Sequence, residues 1–466
     1  MKKATLFLLT VGITCSALAQ EITGQWHGLL EIPGSPLRLV LNIEKSDSGY
    51  TTTLDSPDQG AKGIPVDTTT FTNGKLDLAA TVLGLTYTAE LVDDTLKGTF
   101  RQGGLTLPLE MSREAIEAPQ RNRPQEPKEP FPYYTEAIRF KNPEADIELA
   151  GTLTLPKETG KYPVVVLISG SGPQDRNEEL AGHRPFLVIA DHLTRNGIGV
   201  LRFDDRGVGE STGDFKKATS PDFASDVESA LDYLKTRKDI DTDHIGLIGH
   251  SEGGVVAPMV AAESDDVSFI VLMAGTGIPG SDILAMQGKL IEKAAGKSDA
   301  DVERSAAIRK KIIDMTLAST DVQQLRDDLT NYLKGETDNA ESQDLIPQGM
   351  DVDQFIKSQV DFMATPWMVY FLRHDPAKIL ENVECPVLAI NGSKDLQVPA
   401  KENLSAIGDA LEKAGNEEVT LIELPGLNHL FQESETGSPM EYGNIEQTFS
   451  PKALKTISDW IKEQTK

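Results

Sequence analysis

The sequence has little cysteine and few basic residues. Cys15 and Cys385 are its two cysteines, and 45 lysines and arginines stand against 72 aspartates and glutamates, for a formal net charge of −27 over 466 residues. A field of this sign repels nucleic acid, anionic lipid and polyanionic substrates, so we expect no nucleic-acid partner. Solubility alone also explains such a charge.

The N-terminal segment lacks an apolar run long enough to cross a bilayer. Lys2-Lys3 precede a short apolar core from Leu6 to Ile13, and Ala17-Leu18-Ala19 is an A-x-A cleavage pattern. These features predict a signal peptide over residues 1–19, a secreted or periplasmic protein, and no membrane insertion. A lipoprotein anchored at Cys15 is the alternative, but the residues before Cys15 fit a lipobox poorly.

Metal and phosphate signatures are also missing. None of the seven histidines has the spacing of a metal site, so we expect no metal and no cofactor. The glycine cluster Gly170-Ser171-Gly172 lacks the Lys-Ser/Thr ending of a phosphate loop. Once residues 1–19 are removed, Cys385 cannot form an intramolecular disulfide, and its position beside Pro386 predicts a buried packing residue.

The most informative segment that is present is the pentapeptide Gly249-His250-Ser251-Glu252-Gly253. It follows the apolar run 244–248 and precedes a stretch compatible with a helix. This order of strand, sharp turn and helix is the one that a G-x-S-x-G nucleophile elbow requires. Ser251 is therefore a candidate nucleophile, and the helix N-terminus behind it favours developing negative charge.

Asp395 and His429 each follow a later apolar run. The run 387–390 leads into the loop that contains Asp395, and the run 419–424 is followed by His429. Ligand sites of open parallel sheets lie at the carboxyl ends of the strands, so both side chains are expected at one edge. A serine hydroxyl needs a base to take its proton, and the base needs a partner that orients it.

The chain is expected to contain two domains. Residues 20–115 show short alternating stretches with turns such as Asn73-Gly74 between them, which predicts an all-β domain of about seven or eight strands, a sandwich or small barrel. A proline-rich linker over residues 116–134 follows. Buried apolar runs separated by helical segments then predict a mostly parallel sheet covered on both faces over residues 135–466.

One connection of the second domain is far longer than the others. About 110 residues separate the apolar run ending near Gly275 from the next one at Pro386. The pattern there is helical: Val322, Leu325, Leu329 and Leu333 align on one face, and Ser298 with Asp301 fits a capping box. We therefore predict a helical lid at about residues 280–375.

The second domain resembles the α/β-hydrolase fold. The resemblance rests on segments 249–254, 392–399 and 426–429, on the chain order Ser, Asp, His, and covers residues 135–466. Segment 169–177 is similar to bacterial carboxylesterases of the EstD type, often grouped with serine-aminopeptidase-like hydrolases. The family's usual His-Gly after the third strand is Ser169-Gly170 here.

The resemblance implies a triad and an oxyanion hole. Ser251 would be the nucleophile, His429 the general base and Asp395 its orienting partner. The backbone N–H groups of Glu252 and Ser171 would form the oxyanion hole. Further residues expected to contact substrate are Gly170, Gly172 and His250.

Two neighbouring segments have open roles. Segment 204–211 resembles the Asp-x-Arg-Gly-x-Gly-x-Ser loop of the fold and is interpreted as a structural turn tied by Arg206. Asp175, Arg176 and Asn177 either shape the pocket or brace the predicted oxyanion loop.

Function is expected to be that of a serine carboxylesterase acting on small-molecule esters, with acyl groups from acetyl to about hexanoyl implied by the resemblance. One alternative is a serine exopeptidase of the aminopeptidase type on the same triad. Another is a binding protein in which the all-β domain captures a glycan or lipid and the hydrolase domain is vestigial, which a complete triad argues against. Oligomeric state is not legible in the sequence.

Overall fold

A computed structural model describes residues 21–31, 37–46, 49–57, 61–80, 84–102, 105–117, 122–339, 346 and 351–466. The predicted signal peptide over 1–19, the alternative lipid anchor at Cys15 and the linker residues 118–121 lie outside the described residues. The described residues divide into two compact units: the first comprises 21–31, 37–46, 49–57, 61–80, 84–102, 105–117, 336–339, 346 and 351–356, and the second comprises 122–335 and 357–466.

Nine antiparallel strands, counted over the described residues, form the sheet of the first unit. They run β1 Gly24–Leu30, β2 Leu37–Ser46, β3 Gly49–Ser56, β4 Ala61–Val66, β5 Thr68–Thr72, β6 Lys75–Ala80, β7 Leu85–Val92, β8 Thr95–Gln102 and β9 Leu105–Ser112. Their order across the sheet is β4-β3-β2-β1-β9-β8-β7-β6-β5. The sequence predicts about seven or eight strands, fewer than the nine observed. The threonine-rich β5 has no alternation of apolar and polar residues, so the pattern does not reveal it.

The sheet curls around one buried face. The Thr69 hydroxyl of β5, at one end of the sheet, donates to the Thr52 hydroxyl of β3 at 2.9 Å, near the other end. Trp26 and Tyr87 are fully buried on the inner face. Tight turns at Asn73 and Asp93, both with positive φ, connect neighbouring strands. A single curled sheet corresponds to the small-barrel alternative.

The second unit contains an eight-stranded sheet, again counted over the described residues. Its order is β10-β11-β13-β12-β14-β15-β16-β17. β10 pairs with β11, and β11 with β13, in antiparallel orientation. All the other neighbouring pairs, from β13-β12 across the sheet to β16-β17, are parallel. The bounds are β10 Tyr134–Asn142, β11 Ile147–Leu155, β12 Tyr162–Ile168, β13 Gly199–Phe203, β14 Ile240–His250, β15 Phe269–Met273, β16 Val387–Gly392 and β17 Val419–Leu424.

Helices cover both faces of this sheet, as the α/β-hydrolase fold requires. One face packs on α1 Pro185–Arg195 and α11 Pro451–Gln464. The other face packs on α2 Ser220–Lys235, α3 Gly253–Ala261 and α10 Ala400–Ala414. Cys385 is half-buried and packs against the core on the α2, α3 and α10 side of the sheet. Burial raises the pKa of its thiol to about 12.

The long connection between β15 and β16 is helical, and residues 280–375 are called the helical insertion below. Its helices are α4 Gly280–Ala294, α5 Asp299–Ala318, α6 Val322–Thr337, α7 Val352–Met363 and α8 Pro366–Arg373, followed by α9 Pro376–Leu380. Among the described residues, no helix is both long and apolar enough to cross a membrane.

Two local predictions in the helical insertion meet different outcomes. Ser298 caps α5 by accepting from the Asp301 N–H at 3.2 Å, but its hydroxyl, rather than its backbone, donates to the Asp301 carboxylate. The stripe predicted for α6 is correct for Leu325, Leu329 and Leu333, which are buried. It is wrong for Val322, which is 53% exposed because it lies at the first position of the helix.

Candidate active site

Ser251 lies in the sharp turn between β14 and α3. Its φ is +53°, a left-handed conformation that a non-glycine residue adopts only under constraint. The Ser251 N–H donates to the Met273 carbonyl at 2.9 Å, and the Ser251 carbonyl accepts from the Gly254 N–H at 2.9 Å. The elbow predicted from the sequence is therefore present and is fixed on both sides.

The two glycines that flank the turn leave no room for a side chain. A Cβ placed on Gly249 would lie 1.9 Å from the Gly253 carbonyl oxygen, and one placed on Gly253 would lie 2.1 Å from the Ile168 carbonyl oxygen. These distances are far below van der Waals contact, and both neighbours are backbone atoms. The elbow can pack against the end of β12 only with glycine at these positions.

Asp395 and His429 lie together in the loops that follow β16 and β17. Asp395 Oδ2 is 2.7 Å from His429 Nδ1. Asp395 Oδ1 accepts the N–H groups of Gln397 and Val398, each at 2.8 Å. These bonds fix the carboxylate, so His429 Nδ1 carries the proton and Nε2 is left as the acceptor.

The structure brings the Asp395–His429 pair beside the elbow without a hydrogen bond to Ser251. The ring of His250, the residue before Ser251, lies 4.9 Å from the His429 ring. Among the described residues, the Ser251 hydroxyl has no hydrogen-bond partner. Catalytic hydrogen bonds are often long in free enzymes and tighten when substrate binds.

The glycine loop after β12 also reaches Ser251. A Cβ placed on Gly170 would lie 3.2 Å from the Ser251 Cβ. The Gly170 N–H donates to Glu178 Oε1 at 2.7 Å. Across the described residues, the N–H groups of Ser171 and Glu252 have no protein acceptor. Two unengaged N–H groups, one from this loop and one from the elbow, are what an oxyanion hole needs.

His250 lies beneath the site, with both ring nitrogens engaged inside the protein. Nδ1 is 2.8 Å from Glu178 Oε1, and Nε2 is 3.0 Å from the His429 carbonyl oxygen. This arrangement leaves neither nitrogen for the substrate contact that the sequence predicts. Burial lowers the pKa of His250, but the Glu178 carboxylate and the His429 carbonyl outweigh it, so that the pKa is raised above 6.5.

Two further carboxyl groups, those of Glu252 and Asp205, are buried on the elbow and on the loop after β13. Glu252 Oε1 accepts from the Ser220 hydroxyl and from the Trp367 indole N–H, both at 2.7 Å. Burial raises the pKa of Glu252 above its usual range. Asp205 accepts from the Ser169 hydroxyl at 2.7 Å, and burial raises the pKa of Asp205 to about 8.

Sequence reasoning missed Glu178, Trp367 and the supporting role of Asp205. Glu178 is buried with a positive φ of 52°. Its neighbour Glu179 is half exposed, and nothing in the sequence distinguishes the two. Trp367 lies in the helical insertion, 115 residues from its partner Glu252. No local sequence pattern predicts the contact of Glu178 with His250 or that of Trp367 with Glu252.

Two arginines brace the loops around the site. Arg206 forms a forked pair with Asp226, with nitrogen–oxygen distances of 2.7 and 2.9 Å, which ties segment 204–211 to α2 as predicted. Arg176 forms a similar fork on Asp204, at 2.9 and 2.6 Å. Asp175 accepts the N–H of Asn177. The segment 175–177 therefore braces its loop.

No group of three or more His, Cys, Asp or Glu side chains among the described residues is arranged to hold a metal ion.

Comparison with known proteins gives one family and several relatives. The family described as X-Pro dipeptidyl-peptidase (S15 family) matches residues 146–426. Esterase EstD of Thermotoga maritima is 26% identical over 337 residues, which cover 71% of this chain and 70% of that protein. An uncharacterised 31.7 kDa protein of Escherichia coli is 23% identical over 318 residues, covering 68% and 96% of the two chains.

A solved structure of an esterase from Pyrococcus furiosus is also similar. It is 15% identical, with a TM-score of 0.42, and the match covers 71% of this chain and 91% of that one.

Proposed function

Because the chain belongs to the X-Pro dipeptidyl-peptidase (S15) family, we propose that it uses Ser251, His429 and Asp395 to hydrolyse small carboxylic esters through an acyl-enzyme. The family and the esterase relative make it a serine hydrolase and a carboxylic ester hydrolase. The observation that carries the proposed mechanism is the 2.7 Å contact between Asp395 and His429 beside a serine held at φ +53°.

The proposed reaction begins at the Ser251 hydroxyl. His429 Nε2 takes the hydroxyl proton as Oγ attacks the ester carbonyl, and Asp395 stabilises the imidazolium that forms. The carbonyl oxygen becomes an oxyanion, which accepts hydrogen bonds from the N–H groups of Ser171 and Glu252. His429 then protonates the leaving alcohol, and water repeats the sequence on the acyl-enzyme. Gly170 and Gly172 keep side chains away from the substrate's path.

A serine exopeptidase on the same triad is the second candidate. The family match supports it, because the family is described by a peptidase activity. The esterase relative, which aligns over 71% of this chain, supports the ester reaction instead. The same machinery cleaves both bonds, so the preference depends on groups that bind the substrate away from the carbonyl. An all-β binding domain on a vestigial hydrolase is disfavoured by the paired Asp395 and His429.

We propose that the substrates are esters with acyl groups from acetyl to about hexanoyl. We also propose that residues 1–19 direct export of the protein. The formal charge of −27 supports neutral substrates over polyanionic ones.

A matched turnover assay tests the proposed function. Wild type and Ser251→Ala each meet p-nitrophenyl acetate, butyrate and octanoate, together with aminoacyl and X-Pro dipeptidyl p-nitroanilides. We expect ester turnover that disappears in Ser251→Ala, highest for the two shorter acyl chains. Dominant anilide turnover would move the assignment to the exopeptidase. Turnover that survives in Ser251→Ala would remove the triad from the mechanism.

A further inference from the structure

Both ring nitrogens of His250 face an oxygen, and both oxygens are acceptors when Glu178 is ionised. The partners are a carboxylate oxygen of Glu178 at 2.8 Å and the backbone carbonyl oxygen of His429 at 3.0 Å. A neutral imidazole has a single N–H, so one contact would set two lone pairs against each other. The ring is buried, so water cannot relieve that repulsion. With Glu178 ionised, only the doubly protonated ring donates in both contacts.

Glu178 carries the connection to the glycine loop. The oxygen that faces His250 also accepts the Gly170 N–H at 2.7 Å. The side chain of Glu178 is 4% exposed, and its N–H donates to the Asp175 carbonyl at 2.8 Å. The backbone hydrogen bond of Glu178 fixes the position of its carboxylate. The carboxylate in turn orients Gly170, the residue that precedes Ser171.

The other side of His250 supports the loop of the general base. Its Nε2–H holds the His429 carbonyl, and its ring packs against that of His429 with centroids 4.9 Å apart. The Phe431 ring lies 6.4 Å from the His250 ring and closes this side. One side chain thus contacts the backbone of the base and the carboxylate that orients the oxyanion loop.

We propose that His250 is a positioning residue, kept as a buried imidazolium by Glu178, which holds the His429 loop and the Gly170 loop in one fixed arrangement around Ser251. This inference rests on the proposed function, since it concerns the geometry of the same site. Neither residue touches substrate. A misplacement of about 1 Å at reacting groups costs about a hundredfold in rate. We therefore expect loss of His250 to lower kcat and to leave KM nearly unchanged.

Kinetics on p-nitrophenyl acetate provide the first test. We expect His250→Gln and Glu178→Gln each to lower kcat by about a hundredfold with KM nearly unchanged, and the double variant to lose little more than either single one. His244→Gln and Glu179→Gln are matched controls, since the side chain of His244 pairs with Asp241 and that of Glu179 with Arg184, and neither contacts His250. A raised KM at wild-type kcat would place His250 in substrate binding and overturn the proposal.

The protonation state provides a test that needs no turnover. In ¹⁵N-histidine-labelled wild type, the ring assigned to His250 by its loss in His250→Gln should carry protons on both nitrogens at a pH above about 6.5, the ordinary pKa of histidine. Glu178→Gln gives the assignment if His250→Gln does not fold, because it removes the negative charge beside the His250 ring and shifts the signals of that ring. A neutral ring would overturn the proposal. If wild type shows no ester turnover, the proposed function fails, while this measurement and the labelling rate by a serine-directed fluorophosphonate still decide the role of His250.

Discussion

The indole N–H of Trp367 donates to the carboxylate of Glu252 at 2.7 Å. Trp367 belongs to α8 of the helical insertion, and Glu252 is the residue that follows Ser251 in the elbow. Ser220, at the start of α2, donates to the same carboxylate oxygen. Three elements therefore meet at one buried acid, whose own N–H is a proposed oxyanion donor.

Trp367→Phe should lower the free energy of unfolding by about 1–3 kcal/mol. The variant keeps an aromatic ring that stacks on Phe371, but it removes one of the two hydrogen bonds to a buried carboxyl. Urea unfolding followed by fluorescence measures the change. Ser220→Ala removes the other bond and should cost a similar amount. Wild-type stability in Trp367→Phe would mean that this bond contributes nothing to the fold.

Asp205→Asn should weaken the dependence of stability on pH. The pKa of Asp205 is about 8 in the folded protein, whereas an unfolded aspartate ionises near pH 4. Between these values the folded state holds the extra proton, so the stabilisation is complete below about pH 4 and is lost as pH rises toward 8. Each pH unit is worth about 1.4 kcal/mol.

Urea unfolding between about pH 5 and pH 8 checks this prediction. The stability of Asp205→Asn relative to wild type should rise with pH over that interval. Asp232→Asn, at an exposed position of α2, is the control and should follow wild type. Parallel curves for Asp205→Asn and wild type would contradict an uncharged Asp205.

Gly253→Ala should destabilise the enzyme by about 1–3 kcal/mol and abolish most ester turnover. The added Cβ would lie 2.1 Å from the Ile168 carbonyl oxygen, so the elbow or the end of β12 must move. Gly335→Ala is the matched control, because a Cβ there meets nothing within 4 Å. It sits within α6 and should stabilise by about 1 kcal/mol. Wild-type kcat in Gly253→Ala would show that the elbow tolerates displacement.

Asp395→Asn should reduce kcat by about ten-thousandfold while the protein stays folded. The amide keeps an oxygen for the N–H groups of Gln397 and Val398, but its NH₂ faces His429 Nδ1 and favours the wrong tautomer. Stopped assays with p-nitrophenyl acetate measure the loss, with Asp409→Asn on the exposed face of α10 as control. A loss of less than tenfold would remove Asp395 from the triad.

The elements that carry the proposed triad are legible in the sequence because each depends on neighbours in the chain. Ser251 is marked by its two glycines, and Asp395 and His429 each follow an apolar strand whose carboxyl end must reach the same sheet edge. Parallel pairing then brings the three loops together. The periodicity of α6 likewise predicts its buried stripe from Leu325 onward.

The parts that the sequence does not contain are pairings between distant side chains. Glu178 meets His250 across 72 residues, and Trp367 meets Glu252 across 115. Neither glutamate differs in its local pattern from an ordinary surface acid. Their burial is decided by how the loops and the helical insertion pack, which no short-range periodicity encodes.

In the nine-stranded sheet, β1 pairs with β2 on one side and with β9 on the other, through His27 with Ser112 and Gly28 with Met111. β1, the first of these strands to be synthesised, therefore gains its second partner only when β9, the last of them, has been synthesised. Until residue 112 has been synthesised, β1 presents an open edge, which is a template for pairing with another chain. Vectorial synthesis thus leaves the nascent sheet open to misassembly until its final strand emerges and closes it.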